Sequence, residues 1–325
     1  MTSFKALARR VLTAGPPYAA LHAHALRGRP VTILTYHTLG DDDEDFDAWT
    51  VLRRGDFERQ VALLRHDYDI VTLGAALDGP VPQRPQAVLT FDDGHSGWLE
   101  HLAPIIEREA LPVTLYVASG HVQSGQPYWF DAVVNAVQSR EPLELDCAAA
   151  GLGRITLNAQ RGESNWLRIS TLLEAMKAMA QAPRDALAAQ LVAQTAAAPR
   201  PRFRALRPLS VDGVRALAQS PWVTMGSHSH GHQLLDRIAP EQARESIVHS
   251  MSLLREWTGR AVEHFAYPNG NYDAALAAAL PALGLKSAVT TRKGLWRRDG
   301  SRFELPRLAV GRFDDMARLR LNLLG

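Results

Sequence analysis

The chain has 325 residues, 46% of them hydrophobic and 22% charged, which is the balance of a soluble globular protein with material for one large domain or two ordinary ones. A formal net charge of +2 is too small for a nucleic-acid binder, and no zinc-finger spacing, basic-region heptad or Walker pattern is present. The one cysteine, Cys147, excludes an intrachain disulfide framework and fits a reducing compartment.

Residues 1–29 carry five basic side chains and no acidic one. Ala6-Leu7-Ala8 is cut by Arg9-Arg10, and no run of seven apolar residues follows, so no signal peptide is expected. No stretch reaches the length of a membrane span. The expected location is cytoplasmic. The segment reads as a helical arm packed on the domain. Phe4, Leu7, Val11 and Leu12 share a face, and Lys5, Arg9 and Arg10 could meet anionic lipid, which would place the chain at the inner face of a membrane.

Val31 to Tyr36 is a β-branched, strand-like run ending at His37, and the acidic tract Asp41 to Asp47 after it reads as a solvated loop. Asp56 to Leu64 has helical spacing, with Asp56 as its expected cap. Ile70 to Leu73 and Ala87 to Phe91 read as strands, Trp98 to Glu109 as a helix and Val113 to Val117 as a strand. Residues 124–206 break this rhythm. Trp166, Ile169, Leu172, Leu173, Met176 and Met179 recur there at helical spacing, a stripe that reads as core, and Ala193 to Pro208 resembles a linker.

The alternation then resumes. Helices are expected over Val211–Ala218, Pro240–Thr258, Ala274–Leu283 and Asp314–Leu323. Strands are expected over Trp222–Met225, His264–Tyr267, Ser287–Thr290 and Leu308–Val310. Seven or eight β/α steps predict an α/β fold, a (β/α)7-8 barrel more than an open sheet. The domain plan is an arm over 1–29 and one barrel domain over 30–325, interrupted by a helical insertion at about 124–206.

Four features fall at the expected C-terminal ends of strands, the edge where barrel active sites gather. They are His37, Asp92-Asp93, His228-Ser229-His230-Gly231-His232 and Tyr267-Pro268-Asn269-Gly270. Histidines four apart can converge on one ion, and a carboxylate can complete a site with open positions. Spacing alone leaves open which two of the three histidines bind. A turn and helix cap would explain one of the two aspartates but not both.

Thr90-Phe91-Asp92-Asp93-Gly94, with His228-Ser229-x-x-His232 far downstream, resembles the polysaccharide deacetylases, the NodB-homology group also called carbohydrate esterase family 4. The resemblance covers roughly Pro30–Val122 and Leu206–Arg312. It implies a distorted (β/α) barrel, with Asp92 as general base and Asp93, His228 and His232 as ligands of a divalent metal, with His230 outside the set. Zinc is the expected ion; Co2+, Ni2+ and Mn2+ are alternatives.

Two departures stand out. Ala266-Tyr267-Pro268-Asn269 lacks the arginine of the family's Arg-Pro-Pro-Tyr motif, and Arg307 of Leu305-Pro306-Arg307 is the expected replacement that orients Asp92. The C-terminal Leu-x-His motif is absent, while Leu34-Thr35-Tyr36-His37 resembles the motif order of the biofilm poly-N-acetylglucosamine deacetylases, which implies His37 as general acid beside acidic groups that raise its pKa. Asp56-Phe57-x-x-Gln60-x-x-Leu63 points to the same subgroup.

The expected reaction is removal of an N-acetyl group from an amino sugar in a polysaccharide, oligosaccharide or lipid-linked glycan. The backbone of Asn269 would serve as oxyanion donor, and Tyr267, Trp129 and Asp131 as substrate contacts. His95 is left as a loop residue at the pocket rim. Rival readings are a hydrolase of another amide or ester, a non-catalytic carbohydrate binder, and a non-haem iron oxygenase, whose usual all-β scaffold fits poorly.

Overall fold

The computed structural model of the chain describes residues 13–44, 46–139, 141–198 and 205–325. Phe4, Leu7, Val11 and Leu12, on which the lipid-facing reading of the arm rests, lie outside the described residues. The described part of the arm is helix α1 (Gly15–Ala25), which starts on two prolines and lays Tyr18 and His22 against Tyr68 and Arg320.

Strand β1 (Val31–Tyr36) follows, then the short pair β2 (Thr38–Gly40) and β3 (Val51–Arg53). Helix α2 (Arg54–Asp67) begins two residues before Asp56, whose side chain pairs with Arg59 and Arg53 instead of capping. The expected strand Ile70–Leu73 is shorter than its pattern. It is β4 (Asp69–Ile70), because Thr72 accepts a 3.2 Å hydrogen bond from the amide of Ala75 and caps α3 (Leu73–Asp78). β5 (Gln86–Phe91) leads through one wide π turn, Trp98–Leu102, into α4 (Ala103–Glu109). Pro104 supplies no N–H there, so the regular ladder cannot run through that turn. β6 (Val113–Val117) and α5 (Ser119–Ser124) complete the first half.

The insertion holds α6 (Trp129–Ala136), the antiparallel hairpin β7 (Leu143–Asp146) and β8 (Arg154–Leu157), α7 (Glu163–Lys177) and α8 (Gln181–Gln194). It is therefore not wholly helical. The alternation Leu143, Leu145, Cys147 against Glu144 and Asp146 carries the hairpin signal. Its core joins Val133, Ile169, Leu172, Met176 and Leu191 to Phe46 and Val51 of the barrel. Asp47 ties the two parts together: its carboxylate accepts from Asn165 Nδ2 at 2.9 Å and from the Gly162 amide, and its own amide donates to Gln138 at 2.9 Å.

The second half runs α9 (Val211–Gln219), β9 (Val223–Ser227), α10 (Pro240–Thr258), β10 (His264–Ala266), α11 (Ala274–Ala279), β11 (Ser287–Val289), β12 (Leu308–Ala309) and α12 (Met316–Asn322). The strands pair in parallel in the order β11-β10-β9-β6-β5-β1-β12, with β4 on β5. The two edges meet through one segment: Leu305 pairs with Val289 of β11, and the chain continues into β12 on β1. The expected distorted barrel is what these pairings build.

Strand parity sorts the side chains. Ile33, Val88, Tyr116, Ala266 and Val289 pack together inside the barrel. Leu34, Tyr36, Leu89, Phe91, Leu115 and Phe265 pack outward beneath the helices. Continuing the inward parity past the strand ends brings His37, Asp92 and His228 over the barrel mouth.

Candidate active site

Phe91 pairs with Tyr36 and Leu115, and Val117 with Ser227, so the register sets Asp93 level with Ser227, one residue before His228. Outward parity would send the Asp93 side chain away from the mouth. Its backbone prevents this, with φ at +88° in the left-handed region. Ser229, His232 and Asn269 also have positive φ, at +63°, +53° and +56°. Four of the six described non-glycine residues in that region thus sit at this one site, a concentration of backbone strain characteristic of functional sites.

Asp93 Oδ1 lies 3.4 Å from His228 Nε2 and 3.3 Å from His232 Nε2, with Asp93 and His228 buried and His232 partly exposed. Among the described residues this is the one cluster of three or more such side chains whose ligand atoms lie within 4.8 Å of each other. His228 Nδ1 is 2.7 Å from the Ala266 carbonyl, which can only accept, so Nδ1 carries a proton and Nε2 is the nitrogen turned toward Asp93. An imidazole nitrogen facing a carboxylate oxygen must carry either a proton or a metal ion. Ligand atoms on a tetrahedral ion with bonds of about 2.1 Å lie about 3.4 Å apart, which is the spacing found. The residues therefore fit a divalent metal. Burial by itself would raise the Asp93 carboxyl, but the hydrogen bonds to His228 and His232 hold it well below the usual carboxylate range.

Asp92 faces a different partner. Arg307 grips it with two parallel bonds, Nη1 to Oδ1 at 2.8 Å and Nη2 to Oδ2 at 2.6 Å. The guanidinium is itself fixed by Nε on the Thr290 carbonyl at 2.8 Å and Nη1 on Thr90 Oγ1 at 3.0 Å, and it lies 5.9 Å from the Tyr116 ring centre. Gly226 makes room for that ring, since a Cβ there would collide with it. Burial pushes the Asp92 carboxyl up, and Arg307 outweighs burial, so the group sits below its ordinary value and stays ionised.

His37 lines the same cavity of about 310 Å³ as Asp92, Asp93, His228 and His232. Its carbonyl accepts from Trp98 Nε1 at 2.5 Å, its ring meets Trp49 edge-on, and its buried Nδ1 has no protein partner. Its pKa departs from the sequence expectation. Burial lowers it, and the pull of Asp93 and Asp92 upward does not restore the ordinary value.

Tyr267 does not reach the cavity. Ala266 has the inward parity, so Tyr267 turns outward, stacks on Tyr272 and donates its hydroxyl to the Phe303 carbonyl at 2.9 Å. Trp129 lines a neighbouring groove and not the catalytic cavity. Asp131 does line the cavity, with Oδ2 held 2.7 Å from His95 Nε2. His95 is accordingly not a rim residue: it is 1% exposed, and although burial disfavours its charge, Asp131 raises its pKa overall. Asn269 lines the cavity, its side chain engaged by Lys177. His230 turns away to Ser119 Oγ at 2.9 Å and to His249. Trp49 and Trp166, not singled out from sequence as site residues, form part of the wall. Trp166 belongs to the stripe read as core, and no local pattern separates a wall residue from a core one.

The sequence model of the polysaccharide deacetylase family matches residues 169–288, a span that holds His228, His232 and Asn269 and begins downstream of Asp92. No curated protein matches the sequence. Solved structures with a similar fold include the Streptococcus pyogenes deacetylase PplD in complex with acetate, at 14% identity and TM-score 0.58, covering 90% of this chain and 98% of that one. IcaB from Ammonifex degensii is similar at 15% identity and TM-score 0.58, covering 91% and 98%. A de-N-acetylase from Aggregatibacter actinomycetemcomitans is similar at 15% and 0.55, covering 90% and 99%. Residues 169–288 thus match the polysaccharide deacetylase model, and the chain as a whole shares its fold with solved deacetylase structures.

Proposed function

We propose that this protein is a metal-dependent carbohydrate N-deacetylase that hydrolyses the acetamide of an amino sugar in a glycan. One observation carries the reading: a salt-bridged carboxylate, Asp92, and a donor triad, Asp93, His228 and His232, open on the same cavity.

The two-histidine, one-carboxylate set suits zinc. Zinc bound there would act as a Lewis acid on the acetyl carbonyl and lower the pKa of a coordinated water to about 7. Asp92, kept ionised by Arg307, takes a proton from the attacking water. His37 hands a proton to the departing amine. Burial pulls the His37 pKa down, so the proton it hands on is the one released by the attacking water and relayed from Asp92 in the same cavity. Asn269 supports the oxyanion through its backbone amide. Products balance as acetate and a free amine from amide and water.

The N-terminal segment, if it lies on a membrane, would bring the site to lipid-borne glycans. Among the described residues no helix is long and apolar enough to cross a membrane.

The deciding experiment is acetate release from N-acetylglucosamine oligomers by zinc-loaded protein, with Asp92→Asn as control. Release that disappears in Asp92→Asn supports the reading. No acetate from any N-acetylated glycan at full zinc occupancy would sink it.

A further inference from the structure

Beside the catalytic cavity lies a groove of about 520 Å³. The two share Phe130, Lys177, His232 and Asn269, so they adjoin across those four residues. The outer part comes from the insertion, and its charge is one-sided. Lys177, Arg184 and Arg237 line it against a single carboxylate, Asp185. With Glu174, which bonds Lys177 from the catalytic side, counted beside Asp185, these three cations keep a surplus of one positive charge.

Two of the cations each share a carboxylate, Lys177 with Glu174 and Arg184 with Asp185, and Arg237 is held by a neutral carbonyl. Lys177 Nζ stands at the junction, 2.7 Å from Asn269 Oδ1 and 2.6 Å from Glu174 Oε1 on the catalytic side. Arg237 donates to the Lys177 carbonyl at 3.3 Å, a contact that orients the guanidinium without cancelling its charge. Arg184 lies 5.1 Å from the Trp129 ring centre and bonds its exposed neighbour Asp185 at 2.9 Å. Guanidinium forks in a partly desolvated groove match phosphate oxygens, and an aromatic floor suits the apolar face of a sugar.

We propose that this groove is a phosphate subsite, and that the substrate is an N-acetylated sugar carrying a phosphate or diphosphate next to the unit that is hydrolysed. The acetamide enters the catalytic cavity while the charged group rests on Arg184 and Arg237, with Lys177 between them. A nucleotide and a membrane lipid are two carriers of that chemistry. The inference rests on the deacetylase reading for its substrate, but the anion site stands on geometry of its own.

The test compares kcat/KM for acetate release from three substrates by zinc-loaded full-length protein: a uridine diphosphate N-acetyl sugar, a short-chain prenyl diphosphate N-acetyl sugar and a neutral N-acetylglucosamine trimer. Alongside, inorganic pyrophosphate is titrated against thermal unfolding. The expected result is a preference of at least roughly tenfold for a diphosphate substrate, with the better of the two naming the carrier. Arg184→Gln and Arg237→Gln should each cut that preference about fivefold to tenfold, mainly through KM, and abolish the pyrophosphate-induced rise in Tm. Equal or better use of the neutral trimer, or a preference that neither variant changes, overturns the inference and leaves deacetylation standing. No acetate from any substrate, with pyrophosphate still raising Tm of the wild type alone, removes the deacetylase reading and keeps the anion site. Absence of both the preference and the Tm rise removes the anion site.

Discussion

Two adjacent aspartates have separate environments because one residue is left-handed. Asp92 keeps the inward parity of β5 and meets Arg307; Asp93, at φ +88°, turns back toward His228 and His232. The Asp92–Arg307 pair is buried, so removing one partner should cost more than the pair itself contributes. Arg307→Met is expected to lose about 3–5 kcal/mol in urea unfolding and to lose activity. Adding Asp92→Asn should restore most of the stability without restoring turnover; a stable, active single variant contradicts the pairing argument. His37→Ala should lower kcat by roughly 10² to 10⁴ with bound zinc per chain unchanged. Asp93→Ala and His232→Ala should lose the metal itself, measured by elemental analysis after dialysis, and full occupancy in either would refute the ligand set.

At the scale of elements, the site depends on parallel register and on how the insertion is pinned. Asp47 sits between them, 4% exposed, receiving bonds from Asn165 and Gly162. In Asp47→Ala the Asn165 amide keeps the Asn158 carbonyl at 2.9 Å, while the Gly162 amide loses its acceptor, a cost of about 1–3 kcal/mol. Hydrogen exchange should quicken in α7 before it quickens in the barrel strands; uniform loosening would mean that the anchor is not local. Parity also explains the Tyr267 correction. A motif Tyr-Pro-Asn at a strand end reads as site-facing in one dimension, but Ala266 takes the inward position and Tyr267 the outward one.

For the whole molecule, pH stability has an identifiable contributor outside the proposed metal-binding triad. His264 is 4% exposed, bonds Ser287 Oγ at 2.9 Å, and is lowered by burial from 6.5 to about 4. The unfolded chain therefore binds the extra proton between those values. Its contribution is complete above about pH 6.5 and is lost as pH falls toward 4, amounting to about 3 kcal/mol. His264→Asn should flatten the fall in Tm between pH 7.5 and 4.5; an unchanged slope would assign the acid sensitivity elsewhere.

The sequence by itself determined the alternation of strand and helix, the barrel expectation, and the residues Asp92, Asp93, His228, His232, Arg307 and His37 as those worth locating. The alternation was legible because strand periodicity is a local property, and the roles of these residues came from the resemblance of their motifs to the polysaccharide deacetylases. What only the tertiary structure decided depends on neighbours distant in the chain. Asp131 finds His95 across 36 residues, Trp49 and Trp166 become cavity walls, and Arg307 reaches Asp92 over 215 residues. The downward pull on the His37 pKa belongs to the same class, since desolvation is set by everything packed around the ring, and no pattern along the chain records it.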